Sequence, residues 1–201
     1  MGKNLYDNCI NRLEDFMDVI EAIHHRHSNA KVKQDAIPRE AIETLLSAAV
    51  QAPNHYKVRP WRFIVLTGNG LDKLGEVFVA SFADRQPDLP AEALDKTRAL
   101  PHRAPLIIAV GVDQPAEPKV LEIENIVAVS AACQNLLLAA EAEGLAVKWR
   151  TGEWALDAKV KEFLGFAPDQ HLIAFLYIGY PELVPEAQPR PSFEDRTVWM
   201  E

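Results

Sequence analysis

Cysteine is scarce in this chain, and the scarcity sets aside two classes at once. Cys9 and Cys133 are the only two among 201 residues. They are too few for a disulfide framework and have no metal-ligand spacing. Cys133 lies in an alanine-rich apolar stretch and reads as a small core residue. Cations are in short supply too: 21 Lys and Arg face 29 Asp and Glu, for a net charge of -8. A surface built for nucleic acid needs clustered Lys and Arg, so none is expected. A small anionic ligand stays open, because a few local cations can hold it against an acidic background. Long hydrophobic runs are also missing. The longest, Ile126 to Ala140, is interrupted by Gln134 and Asn135 and is too short to span a bilayer. The opening MGKNLYDNCI lacks the basic-then-apolar order of a secretion signal, and Tyr6 stands where a myristoylation motif has Ser or Thr. A cytoplasmic protein without membrane attachment is expected.

The common signatures of catalysis are absent as well. There is no Walker-type phosphate loop and no Gly-x-Gly-x-x-Gly after a strand; Gly68-Asn69-Gly70 reads as a turn. No Gly-x-Ser-x-Gly elbow is present, which argues against a serine hydrolase. His24, His25 and His27 are crowded together with no carboxylate or cysteine at ligand spacing, so no metal site is expected.

What is present is a core. Hydrophobic residues make up 48% of the chain and charged residues 25%, the mix of a soluble globular protein. The length suits one domain, taken here as residues 1–201, or at most two small ones. Helical spacing predicts helices over 4–24, from Pro38 to before Pro53, and from Leu71 to about Ser81. It predicts others over 119–143 and 155–164, the first closed by Gly144. Apolar, β-rich runs predict strands at 61–67, 104–112, 145–150 and 171–180. These runs are continuous rather than alternating, so helices should cover both faces of the sheet. Residues 84–103 are charged and proline-containing and should cover the surface with one short helix. The helix over 119–143 is nearly free of charge between Ile126 and Ala140. A helix apolar all round is expected to be buried all round, against the sheet and a partner subunit. From Pro181 on, four prolines (Pro181, Pro185, Pro189 and Pro191) keep the chain extended to its end. Such an arm is either disordered or laid across another surface, and Phe193, Val198 and Trp199 favour the second.

Four cationic or polar segments sit at element ends. Arg26-His27-Ser28 follows the first helix and, alone, could be a solvated helix end whose cations complement the dipole. Pro53-Asn54-His55-Tyr56-Lys57-Val58-Arg59-Pro60-Trp61 is a polar loop between helix and strand. Trp149-Arg150-Thr151-Gly152 ends an apolar strand on an arginine and a hydroxyl. Arg190 stands in the extended arm.

In this order and at these distances, the segments resemble the nitroreductase family, in particular its compact bacterial subgroup. The likeness runs from about residue 20 to the C-terminus and includes Phe175-Leu176-Tyr177-Ile178-Gly179-Tyr180-Pro181. It implies an α+β fold of three layers, with a central, mostly antiparallel sheet flanked by helices and a C-terminal arm (181–201) exchanged in a homodimer. It implies FMN as cofactor, NAD(P)H as reductant, and ping-pong hydride transfer to a small-molecule acceptor such as a nitroaromatic or quinone. The flavin carries the chemistry, so no catalytic side chain is expected. Reduced flavin is anionic near N1 and O2 and its phosphate adds charge, so a site for it needs convergent cations and N–H donors. By position, Arg26 and Ser28 would grip the phosphate-ribityl end and His27 would add a ring donor. Asn54 and His55 would come from the other subunit. Trp149, Arg150 and Thr151 would line the opposite side, with backbone or hydroxyl contacts to the isoalloxazine edge, and Arg190 would be a second phosphate ligand. The chain departs from the family pattern at Ala30, where many members carry a basic residue near flavin N1. It departs again at Arg59, which stands in place of Gln. The same resemblance also admits a dehalogenase or dehydrogenase of this fold, or a flavin-binding module without turnover.

Overall fold

A computed structural model describes residues 17–183 and 189–201. The predicted helix over 4–24 lies largely outside the described residues, as does Cys9, and within them it does not run through residue 18. Asp18 has extended backbone, and its carboxylate accepts from the N–H groups of Ile20 (2.8 Å) and Glu21 (3.3 Å). That is an N-cap, and α1 therefore spans only Val19–His25. The remaining helices are α2 (Arg39–Ala49), α3 (Asn69–Arg85), α4 (Ala91–Arg98), α5 (Glu122–Ala142), α6 (Glu153–Leu156) and α7 (Ala158–Phe163). The strands are β1 (Trp61–Thr67), β2 (Leu106–Val112), β3 (Ala146–Arg150) and β4 (His171–Gly179). The single helix expected over 155–164 is two, because Asp157 is extended and its side chain accepts from Val160 N–H at 3.1 Å. A capping aspartate between two apolar turns ends one helix and starts the next.

The sheet has the order β1-β2-β4-β3, and every described pairing is antiparallel. All seven residues of β2 are buried, which requires cover on both faces. One face (Leu106, Ile108, Val110, Leu176, Ile178) packs on α2 and α5 through Leu45, Val129, Cys133 and Leu136. The other (Ile107, Ala109, Phe175, Tyr177) packs on α3 and α7 through Leu71, Leu74, Phe78 and Val160. The expected three layers are present.

The long helix departs from expectation. Its inner face is buried, including Cys133, whose thiol burial pushes up to about 12. Its outer face is not: Ile123 is 60% exposed and Val127 59%. By length and composition it could cross a membrane, and its inner face is accounted for here by the sheet.

Candidate functional site

The segment after α1 turns extended at Arg26 (φ -52, ψ 123) and lies across the ends of β3 and β4. Ser28 bridges Val147 in parallel and Val32 bridges Pro181. Asn29 N–H donates to Val147 O at 3.2 Å and Lys33 N–H to Tyr180 O at 2.8 Å. A Cβ on Gly179 would stand 2.7 Å from Val32 Cβ, so only glycine lets this segment lie so close. Asn29 is buried, and it is a residue that the sequence reading missed. Its Oδ1 accepts from Lys31 N–H (2.9 Å) and its Nδ2 donates to Leu183 O (3.0 Å). One side chain thus fixes both the 26–32 segment and the root of the C-terminal arm.

Arg26, His27 and Arg190 come together there. Arg190 Nη2 donates to the Arg26 carbonyl across 164 positions of sequence. Burial lowers the Arg26 guanidinium from its ordinary value, Arg190 lowers it further, and Glu141 offsets part of this. Like charges that approach without an anion between them raise each other's energy, and an anion removes that penalty. His27 Nδ1 lies 3.0 Å from the His25 carbonyl, so Nδ1 carries the proton. Among the described residues its Nε2 is buried without a hydrogen-bond partner, and buried polar atoms of this kind call for one.

The third segment lies beside this group. β3 is an edge strand whose outer side meets Ser28 at Val147. Successive side chains of a strand point to opposite faces, and Trp149 and Arg150 turn opposite ways. Trp149 packs toward the α2 and α5 layer, its indole N–H donating to Ile173 O at 3.1 Å. Arg150 turns the other way, its guanidinium 5.3 Å from the Tyr177 ring centroid and its Nε buried without a partner among the described residues. What the two share toward Ser28 is the main chain of the strand edge. Thr151 is exposed beyond it.

Asn54 and His55 are elsewhere. Their loop holds Tyr56, Lys57 and Arg59 at φ 50, 56 and 52, a conformation that costs a non-glycine residue about 1–3 kcal/mol and concentrates at functional loops. Asn54 Oδ1 accepts from Arg59 N–H at 2.9 Å, and the Lys119 ammonium lies 4.8 Å from the Tyr56 ring centroid. His55 Nδ1 is 3.1 Å from Glu124 Oε1, near the start of α5. The Arg26 group lies near Glu141, at the other end of that helix. At about 1.5 Å of rise per residue, the two groups stand roughly 25 Å apart. Asn54 and His55 line an apolar groove of about 430 Å³ with Ile123, Val127 and Ala131. Within one chain they cannot reach a ligand held by Arg26.

A family model described as the nitroreductase family matches residues 23–180, most of the chain and all of the elements just described from Ile23 onward. The chain belongs to the nitroreductase family. It is 31% identical over 167 residues to the Escherichia coli K12 protein named "Putative NAD(P)H nitroreductase YdjA", covering 83% of this chain and 90% of that one. The nitroreductase-like protein from Bacillus cereus superposes with a TM-score of 0.80 at 24% identity, over 92% of this chain and 97% of that chain. A nitroreductase from Desulfovibrio desulfuricans, titled as a complex with FMN, gives 0.70 at 24% identity over 92% and 97%. At these identities the two structures speak for the fold.

Proposed function

We propose that the chain is an FMN-dependent NAD(P)H oxidoreductase of the nitroreductase type that works as a cytoplasmic homodimer. The observation that carries the reading is the meeting of Arg26 and Arg190 from segments 164 positions apart. Two guanidinium groups drawn together from distant parts of the chain suit a phosphate dianion, and charge-assisted contacts of this kind are the stronger hydrogen bonds of proteins. When bound, FMN supplies the redox chemistry, taking hydride from NAD(P)H and passing electrons to an acceptor such as a nitroaromatic or quinone. The chain's own residues bind and orient. Arg26 and Arg190 hold the phosphate, Ser28 and the edge of β3 through Thr151 run along the cofactor, and Trp149 braces that edge from behind.

Asn54 and His55 belong to the same site in the partner subunit, which reconciles their role with the roughly 25 Å that separates them from Arg26 in one chain. The uncovered face of α5 and the exposed anchors of the arm supply the apolar surface for that pairing. Trp199, for instance, is 77% exposed.

Purified protein should be yellow and release FMN rather than FAD on denaturation, because the chain lacks an adenosine-binding βαβ fingerprint. NAD(P)H should bleach it anaerobically, and an acceptor should restore the colour. Release of FAD, or failure to take up FMN on reconstitution, overturns the reading.

A further inference from the structure

Three histidines among the described residues stand against carboxylates: His55 with Glu124, His102 with Asp72 and His171 with Glu122. The partners of His102 and His171 are exposed, at 63% and 50%, and pairs of that kind contribute little. Glu124 differs, because its side chain is 24% exposed and is fixed on two sides. Its Oε2 accepts from the N–H of Leu121, the N-cap of α5, at 3.1 Å, where the helix dipole favours an anion. Its Oε1 faces His55 Nδ1 at 3.1 Å.

A carboxylate accepts and cannot donate, so His55 Nδ1 carries a proton and donates it to Glu124. That bond sets the tautomer and fixes the ring, leaving Nε2 on the side away from Glu124. Among the described residues the rest of the groove wall offers no rival. Asn54 is tied into its own loop, its Nδ2 donating to Ala52 O at 3.3 Å and its Oδ1 accepting from Arg59 N–H at 2.9 Å. Pro53, Ile123, Val127 and Ala131 have no side-chain proton to give. The loop itself holds Tyr56, Lys57 and Arg59 at positive φ, and strain of this kind persists where the surroundings fix a loop in one shape. An oriented imidazole on the wall of a largely apolar groove of about 430 Å³ has the form of a general acid with its orienting carboxylate.

We propose that His55, held by Glu124, is the acid that protonates the electron acceptor, and that the groove beside it seats the acceptor's ring. The proposal rests on the FMN reading above, in which His55 belongs to the partner's site. A quinone that takes a hydride from the reduced cofactor, leaving the cofactor oxidised, keeps one unprotonated and negatively charged oxygen. The Nε2–H bond of the protonated His55 ring then breaks and an O–H bond forms at that oxygen, giving the hydroquinone. The neutral imidazole regains its proton from water at its exposed side. NAD(P)H supplies the two electrons by way of the cofactor, so no further reductant is needed. Glu124 acts through the ring, as a positioning residue.

Reoxidation of the photochemically reduced protein at saturating FMN, followed by flavin absorbance, separates the roles. Benzoquinone needs a proton with its electrons, while ferricyanide takes electrons singly and needs none. His55→Ala should slow reoxidation by the quinone about a hundredfold, the lower range for general acid catalysis, and leave the ferricyanide rate within about twofold. Added imidazole should restore part of the quinone rate, which a purely structural loss would not allow. Glu124→Gln should slow the quinone step about tenfold and spare ferricyanide, because the ring stays but loses its aim. A second readout needs no turnover. Benzoate, whose carboxylate stands in for the acceptor's charged oxygen, should bind oxidised FMN-loaded His55→Ala about tenfold more weakly than the parent. His55→Gln, which keeps a donor but no transferable proton, should hold benzoate and still lose the quinone rate; it carries the test if His55→Ala does not fold. Equal losses with quinone and ferricyanide, or a quinone rate equal to the parent's, overturn the proposal while the FMN reading stands. A parent protein that takes up no FMN overturns that reading first.

Discussion

The two ends of α5 present opposite problems. Near Glu141, polar groups are gathered and left short of partners: Arg26 and Arg190 crowd together, and among the described residues His27 Nε2 is buried with nothing to bond. Near Glu124, the polar groups are already satisfied. His55 meets Glu124, Glu124 also accepts from Leu121 N–H at 3.1 Å, and what remains bare is the apolar stripe of Ile123 and Val127. One end wants an anion and the other wants a cover. A single chain can give neither end what the other has, and a second copy placed so that the two ends meet serves both.

The largest expected effect follows from removing what reaches between them. Deleting residues 182–201 removes Arg190 and the apolar anchors together. FMN affinity should fall about a hundredfold, the upper range for a charge-assisted contact of about 1.5–3 kcal/mol. Sedimentation should show monomer at concentrations where the parent is a dimer. A truncated protein that stays dimeric and keeps its flavin would dissolve the comparison, leaving the arm without a role at either end.

A finer experiment asks whether the two ends meet in trans. Arg26→Ala and His55→Ala should each weaken FMN binding, Arg26→Ala by about ten- to a hundredfold because it loses a phosphate contact. Mixing the two variants and letting subunits exchange yields heterodimers in which one site has both wild-type residues. About a quarter of the sites in an equimolar mixture should then recover parent affinity, a fraction that follows from random pairing of folded subunits. Titration by flavin fluorescence measures it. No recovery would mean that Arg26 and His55 never share a site.

The smallest effect is at the satisfied end. Glu124→Gln keeps the shape and removes the charge facing a half-exposed histidine. Exposed pairs contribute about 0–1 kcal/mol, so the melting temperature should drop by no more than a few degrees. A larger loss would show that the His55 loop leans on this pair more than its exposure suggests. A related check concerns the buried face of the same helix. Burial raises the Cys133 thiol from 9.0 to about 12 in the folded state. Its contribution is therefore complete below pH 9 and lost as pH climbs toward 12. At pH 8, peptide mapping after iodoacetamide treatment should find Cys133 unmodified in folded protein and alkylated in urea.

Most of the layered fold was legible in the sequence because its strands are continuous apolar runs and its helices carry plain periodicity. β1, β2, β3 and β4 fall within a residue or two of expectation. The break at Asp157 was not legible, since one aspartate among apolar turns reads equally as an exposed position in a longer helix. The cap at Asp18 hid for the same reason. Arg26, His27 and Arg190 could be named from motif order, and their convergence depends on Asn29, a single buried amide with no period or motif to mark it. The pair of His55 and Glu124 was beyond sequence reading, because its members come from separated segments that only the fold brings together. The left-handed turns at Tyr56, Lys57 and Arg59 also gave no signal, as none of them is a glycine or asparagine.

The Asn29 amide has a consequence in time as well as in space. It joins Leu183 across 154 positions, and Arg190 joins the carbonyl of Arg26 across 164. Contacts of such long sequence separation form late, because the intervening chain must already be compact for the closure to be favourable. The convergence of these two segments is therefore among the last features of the chain to mature. FMN held at the proposed site would then arrive at a finished sheet, and its uptake would report that the two distant segments have found each other.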